Sequence, residues 1–270
     1  MTDLNIAVTG AAGRMGQMLI KAIASAPGVA LSGALERKGH AATGLDAGTV
    51  VGLPALGVAV SDTPASAFHG ADAIMDFTAP AATLVFAAHA AQYGLIHVIG
   101  TTGLAETDFA ALRIAARKAR IVQSGNMSAG VNMLAALVKR AAAGLGAGWD
   151  IEIVEMHHRM KVDAPSGTAL LLGEAAAAGR KVSLKEKSSR GRDGHTGARK
   201  AGEIGFAALR GGTVVGEHSV IIAGNGERLV LQHIAEDREL FASGAVRAAL
   251  WARDLKPGYY TMADVLGIGG

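Results

Sequence analysis

The sequence predicts an α/β chain of two domains: a doubly wound parallel sheet over residues 1–128, rejoined by 239–270, and a central α+β domain over 129–238 with a mixed or antiparallel sheet. Three observations predict it. Short apolar runs alternate with helix-length amphipathic segments through the first half, the pattern of a parallel sheet with helical crossovers. That rhythm breaks after Asn126, and a glycine-rich turn directly follows the first apolar run.

Taken in order, "LNIAVTG" is a strand ending at Gly10, and "RMGQMLIKAIASA" places Met15, Met18, Leu19 and Ile23 at helical spacing. Further strands follow at "VALSGALE", "DAIMDF", "IHVIG" and "RIVQS", with helices at "PAATLVFAAHAAQYG" and "TDFAALRIAARKA" between them. Beyond Ser128, "SAGVNMLAALVKRAAAGLG" is a long helix that fades at Gly144 to Gly148. "DIEIVEMHH" reads as a strand and "SGTALLLGEAAAAG" as a helix capped by Ser166. "EIGFAALRGGTVVGEHSVIIAGNGERLVLQHIA" reads as consecutive antiparallel strands joined by Gly-rich turns, and the end of the chain as a helix followed by irregular structure.

Composition excludes several classes. The 270 residues contain no cysteine, so disulfides, thiolate metal sites and thiol catalysis are closed, and no metal site is expected. No stretch offers about 18 uninterrupted apolar residues and the start lacks a signal-peptide pattern, so a cytoplasmic protein without a membrane partner is expected. The formal charge is +3, yet Arg180 to Lys200 carries eight Lys or Arg against Glu186 and Asp193. With no aromatic residue interleaved to stack on bases, this stretch is expected to be a flexible solvated loop, not a nucleic-acid site.

Gly10, Gly13 and Gly16 lie between the first strand and first helix as G-A-A-G-R-M-G. Glycine there permits a tight turn and close approach of backbone to a pyrophosphate, while the helix start supplies N–H groups and the positive end of a dipole. Glu36, 20 residues after Gly16, suits hydrogen bonds to an adenosine ribose; Arg37 beside it suits the 2'-phosphate of NADP. Both NADH and NADPH stay open. The turns "IGTTG" (Gly100 to Gly103) and "SGNMS" (Ser124 to Ser128) follow later strands, where ligands of open parallel sheets sit, though a Gly-Thr-Thr-Gly is equally an ordinary strand-to-helix turn.

In "EMHHRMKVDAPSGTAL", four potential cations, His157, His158, Arg159 and Lys161, fall within five positions before a Pro-Ser-Gly-Thr turn. Such a cluster is either a solvated basic loop or an anion pocket in which a proton donor stands beside carboxylate-binding groups. Histidine donates protons near neutral pH, lysine brings a compact charge, and a helix start cradles a carboxylate.

With those residues in view, the chain resembles the 4-hydroxy-tetrahydrodipicolinate reductase (dihydrodipicolinate reductase) family. "HHRMKVDAPSGTAL" is similar to the family signature E-x-H-H-x-x-K-x-D-x-P-S-G-T-A, and "VTGAAGRMG", "DFTAP", "VIGTTG", "GNMSAGVN", "GEIGFAALRGG" and "GEH" extend the likeness over nearly the whole chain. The resemblance implies a Rossmann-like N-terminal domain that the C-terminal segment rejoins, and a central domain that binds substrate and builds a homotetramer. It implies hydride transfer from NADPH or NADH to a cyclic imine dicarboxylate of the diaminopimelate and lysine pathway. His157 and Lys161 fall on its catalytic acid positions, and His158, Gly167 and Thr168 on its substrate-carboxylate positions. Gly10, Ala11, Ala12, Gly13, Arg14, Met15, Glu36, Arg37, Gly100, Thr101, Thr102, Ser124, Gly125, Asn126 and Met127 fall on its cofactor positions. The chain departs from it at Met160, where many members carry a third histidine, and at Gly125 and Met127, where many carry Ala and Phe.

Two rivals test that reading. A semialdehyde dehydrogenase of similar layout would need a cysteine thiolate, which the chain lacks. A non-catalytic nucleotide sensor or nucleic-acid binder would leave the His-His-Arg-Met-Lys cluster without a use.

Overall fold

A computed structural model describes residues 3–268. The chain divides into two compact units, one of Met1–Ser128 with Glu239–Gly267, the other formed by Ala129–Arg238 with Ile268–Gly270.

The first unit opens with β1 (Leu4–Thr9), α1 (Arg14–Ser25), β2 (Val29–Leu35), α2 (Ala47–Val50), β3 (Val60–Ser61) and α3 (Pro64–Ala67). It continues through β4 (Ala73–Asp76), α4 (Pro80–Tyr93), β5 (Ile96–Ile99), α5 (Glu106–Ala115) and β6 (Arg120–Gln123). The second unit holds α6 (Ala129–Leu145), β7 (Asp150–His157), α7 (Gly167–Arg180), α8 (Leu184–Lys187), β8 (Ser188–Ser189), β9 (Ile204–Arg210), β10 (Gly216–Ala223) and β11 (Arg228–Ala235). The chain then returns to the first unit with α9 (Glu239–Ala252), β12 (Gly258–Tyr260) and α10 (Met262–Val265).

In the first unit seven parallel strands run in the order β12-β6-β5-β4-β1-β2-β3. Its central strands β1, β4 and β5 are buried at nearly every position because both faces are covered. Ile6 and Val8 of β1 pack with Leu19 and Ile20 of α1 and Ala245 to Ala249 of α9. Ala7, one residue out of step, faces Phe86 and Ala90 of α4 and Leu112 of α5. Helices thus cover both faces, and the order reverses at β1, where β4 and β2 pair on opposite sides. The C-terminal segment, expected to end in irregular structure, instead adds β12 parallel to β6. Three residues are too few for periodicity to reveal a strand.

The second unit is a mixed five-stranded sheet, β11-β10-β7-β9-β8, under α6 and α7. The strands after α7 do not form one antiparallel succession: β7 lies between β9 and β10, parallel to the former and antiparallel to the latter. Alternation along β7 buries Ile151, Ile153, Glu155 and His157, and β10 buries Gly216, His218, Val220 and Ile222. On these two strands the buried sheet face is therefore apolar at one end and polar at the other.

The basic segment after α7 is exposed, but it is not a free loop. Arg192 and Arg199 both reach the Glu152 carboxylate on β7, at 2.8 and 2.9 Å, and Arg199 also pairs with Asp150 at 2.7 Å. These acids lie more than 35 residues upstream, so no local pattern signals the contact.

Candidate active site

In the first unit the residues singled out in the sequence gather at the carboxyl ends of adjacent strands. Gly10 has φ +62°, and a Cβ on Gly16 would stand 2.0 Å from the Gly10 carbonyl oxygen, so α1 approaches the β1 turn only because that position is glycine. Gly13 is the N-cap of α1, with Arg14 and Met15 in its first turn. Glu36, just past β2, accepts the Ala12 N–H at 3.1 Å and the Arg37 N–H at 3.0 Å, which fixes an acid beside the glycine turn.

Gly100 to Thr102 follow β5, and Ser124 to Met127 follow β6. The buried Thr101 hydroxyl accepts the Thr78 N–H at 3.1 Å and the Thr83 hydroxyl at 2.9 Å. Asp76, at the end of β4, accepts the Thr78 N–H at 3.0 Å and its hydroxyl at 2.5 Å. Asn126 Oδ1 accepts the Ser128 N–H at 2.8 Å, and Ser124 Oγ donates to the Asn126 carbonyl at 2.7 Å. Met127 is 1% exposed and its side chain belongs to the hydrophobic core, so only its backbone borders the turn.

In the second unit His157 closes the buried register of β7, and Nδ1 lies 2.6 Å from Glu155 Oε2. Glu155 also accepts two hydrogen bonds from the Arg210 guanidinium, both 2.8 Å, and one from the Ser166 N–H at 3.1 Å. Arg210 further donates to the Asp163 carbonyl, which ties the loop after β7 to the end of β9. In that loop Lys161 Nζ is 2.8 Å from Asp163 Oδ1. His158 Nε2 is 3.0 Å from an Arg238 guanidinium nitrogen; a guanidinium only donates, so this ring nitrogen accepts.

Ser166 caps α7 by accepting the Ala169 N–H at 3.1 Å, and its oxygen lies 3.0 Å from His218 Nε2. Gly167 and Thr168 are thereby placed in the first turn of α7, where helical N–H groups have no intrahelical acceptor. The His157 and His218 rings meet edge to face, 5.0 Å between centroids.

Electrostatics follow from this packing. Burial works to raise the Glu155 carboxyl, but Arg210 and His157 outweigh it and hold Glu155 below the usual glutamate range. Burial lowers His157; Glu155 opposes that, while Lys161 and Arg210 add to it, and the balance stays below the usual histidine value. His218, buried beside His157, is pushed down to about 4 and is neutral at pH 7. The Lys161 ammonium holds Asp163 low.

Glu155, Asp163, Arg210, Gly216 and His218 lie within the family-like stretches but take no role from the sequence, and Arg238 lies outside those stretches. A signal existed for the first: in the alternating run I-E-I-V-E-M-H, Glu155 is a carboxylate in the register of Ile151 and Ile153. Arg210 gave none, since its partner lies 55 residues away.

A doubly wound sheet with a glycine turn and an acid past its second strand, together with a mixed-sheet unit bearing a cationic cluster at a helix start, define an oxidoreductase of the two-unit dinucleotide-binding class. The chain belongs to the dihydrodipicolinate reductase family: residues 4–127 match the family's N-terminal model and residues 130–266 its C-terminal model. It is 60% identical over 268 residues to the 4-hydroxy-tetrahydrodipicolinate reductase of Sinorhizobium medicae (strain WSM419), covering 99% of this chain and 98% of that one. It is 61% identical to the protein of the same name from Rhodopseudomonas palustris (strain BisB18), covering 99% of each. The fold is shared with dipicolinate-bound dihydrodipicolinate reductase from Paenisporosarcina sp. TG-14, at a TM-score of 0.77 and 22% identity over 97% of this chain and 99% of that one.

Proposed function

We propose that this chain reduces a cyclic imine dicarboxylate, 4-hydroxy-tetrahydrodipicolinate or the imine left by its loss of water, to tetrahydrodipicolinate in diaminopimelate and lysine biosynthesis. NADPH or NADH is the hydride donor. The observation that carries the reading is the ordered cluster at the end of β7, where Lys161, His157 and His158 stand with the Ser166-capped start of α7.

The first unit's residues fit a dinucleotide, because the close approach of α1 to the β1 turn leaves backbone, not side chains, at the helix start. Gly10 to Met15 would hold the pyrophosphate, Glu36 the ribose hydroxyls and Arg37 a 2'-phosphate. Gly100 to Thr102 and Ser124 to Met127 would border the nicotinamide end. Bound there, the cofactor supplies a hydride to an electron-poor ring carbon.

The chain's own residues orient the substrate and manage charge. His158, Gly167 and Thr168 hold its carboxylates, a helix start and cationic side chains being suited to a dianion. His157 and Lys161 occupy the acid positions where the electron pair displaced from the double bond takes up a proton.

The same reading includes a homotetramer and a cytoplasmic location. Exposed Leu229, Val230 and Ile234 on the edge strand β11 support an assembly surface on the second unit's sheet. No helix among the described residues is long and apolar enough to cross a membrane.

A coupled assay tests the function: dihydrodipicolinate synthase generates the substrate while absorbance follows NADH and NADPH oxidation separately. Oxidation dependent on the synthase product is expected. Its absence with both cofactors would overturn the reading, and light scattering tests the tetramer.

A further inference from the structure

Glu155 is a buried carboxylate whose acceptor sites are engaged. Oε1 takes the Ser166 N–H and one Arg210 nitrogen, and Oε2 takes the other Arg210 nitrogen and faces His157 Nδ1 at 2.6 Å. An ionised carboxylate only accepts, so the proton in the Glu155–His157 bond sits on Nδ1. A neutral imidazole carries one proton, and the bond made by one ring nitrogen decides which nitrogen has it. We propose that Glu155 is a positioning residue that fixes His157 as its Nδ1–H tautomer, so that Nε2 meets the substrate as a hydrogen-bond acceptor in the resting enzyme. This deepens the reductase reading and rests on it for the identity of the substrate.

The surroundings of His157 bear this out from every side. Glu155 shares its strand, Arg210 ends β9, His218 lies on β10, and Lys161 lies in the loop after β7. Among the charged neighbours only Glu155 stabilises the imidazolium, whereas burial, Lys161 and Arg210 oppose it and leave the ring neutral near pH 7. His218 adds no charge, because burial keeps it neutral. Ser166 Oγ already accepts the Ala169 N–H, so its hydroxyl proton is available to His218 Nε2, and His218 does not compete for Glu155. Opposite the anchored edge, Gly216 offers no side chain to cover Nε2.

The consequence is a division of labour at the two acid positions. Nε2 of His157 has a lone pair to receive a hydrogen bond, while Lys161 retains ammonium protons. Activity should then require neutral His157 and fall as the pH drops through its titration.

Full-length protein labelled with 15N-histidine tests the proposal directly. Long-range proton–nitrogen correlations distinguish the two tautomers, and the His157 signals are assigned by their loss in His157→Ala. The wild-type ring should be Nδ1–H at neutral pH. In Glu155→Gln the charge that favours imidazolium is gone, so the acid limb of the kcat profile should move to lower pH. Its kcat should fall about 10- to 100-fold, the usual scale for loss of a histidine's orienting partner, with cofactor KM unchanged.

An Nε2–H ring in the wild type would overturn the proposal, as would a Glu155→Gln variant with unchanged spectrum and profile. If that variant does not fold, the wild-type spectrum alone decides. A wild type that holds the Nδ1–H tautomer but reduces no imine would defeat the reductase reading and leave the positioning role standing.

Discussion

Gly216 lies against His157: a Cβ on Gly216 would stand 3.0 Å from Nε2 and 3.4 Å from Cδ2. The ring cannot retreat freely, because Glu155, itself held by Arg210, anchors its other edge.

Gly216→Ala should therefore lower kcat without unfolding the protein. Gly216 is within β10 and lacks a positive φ, so alanine suits its backbone and should not lower the thermal midpoint through the chain itself. A loss of about 10-fold or more in kcat, with NADH binding intact, is expected from displacement of one positioned group. Steady-state kinetics beside a thermal melt checks this, and wild-type turnover in the alanine variant would show that Nε2 is not where chemistry needs space.

Cofactor choice is predicted to turn on the pair past β2. Glu36 is fixed on the Ala12 N–H beside the glycine turn, while Arg37 is exposed. Both NADH and NADPH should serve, and Arg37→Ala should weaken NADPH by about 10-fold while sparing NADH, since a charged hydrogen bond to the 2'-phosphate is lost in one case only. Equal weakening of both would mean that Arg37 does not read the phosphate. Fluorescence titration with each cofactor distinguishes the outcomes.

Asp76 and His97 are fully buried side by side, Oδ2 and Nε2 being 3.5 Å apart, a close approach and not a formed hydrogen bond. Burial works to raise Asp76, but His97 and the Thr78 and Thr83 hydroxyls outweigh it and hold the group below its ordinary 3.8. The unfolded chain therefore takes up this proton first as the pH falls. Stability from ionised Asp76 is fully present above 3.8 and is lost as the pH drops through the lower folded value. Asp76→Asn should accordingly be less stable than wild type at neutral pH, and the gap should close in acid. Urea midpoints at neutral pH and below 3.8 measure it; a gap independent of pH would show that Asp76 is not ionised in the fold.

Local periodicity made much of this molecule legible. The strand and helix alternation through Gln123, the turn at Gly10 to Gly16 and the cap at Ser166 are all short-range patterns, and each is present. What stayed hidden depends on pairing across long separations. Insertion of β7 between β9 and β10 sets His218 opposite Glu155, and Arg210 opposite His157, relations that no window of sequence contains. The basic segment read as solvated because its acids, Asp150 and Glu152, stand on a strand some 40 residues earlier. The cluster itself was legible by composition, whereas the carboxylate that orders it was legible from the residues alone only by its place in an alternating strand and otherwise as the first letter of the family signature.

The cluster after β7 yields the sharpest division of roles. Lys161 is a compact ammonium, one-fifth exposed and paired with Asp163 at 2.8 Å, free enough to exchange that partner for a substrate group. His157 is anchored by Glu155 and its remaining nitrogen faces Gly216. Removing either side chain should lower turnover by about 100-fold or more, the scale for loss of a positioned proton donor at Lys161 or of a positioned hydrogen-bonding partner at His157. His158 differs, since its Nε2 is engaged by Arg238 and it is assigned to carboxylate binding. His158→Ala should raise the substrate KM at least as much as it lowers kcat, because ground-state and transition-state binding are lost together. Cofactor affinity should survive all three changes, since the glycine turn and Glu36 belong to the other unit. Steady-state kinetics on the three alanine variants, with NADH binding followed by fluorescence, separates these outcomes. Near-normal turnover in both His157→Ala and Lys161→Ala would return the segment to a solvated basic loop and remove the chemistry from the second unit.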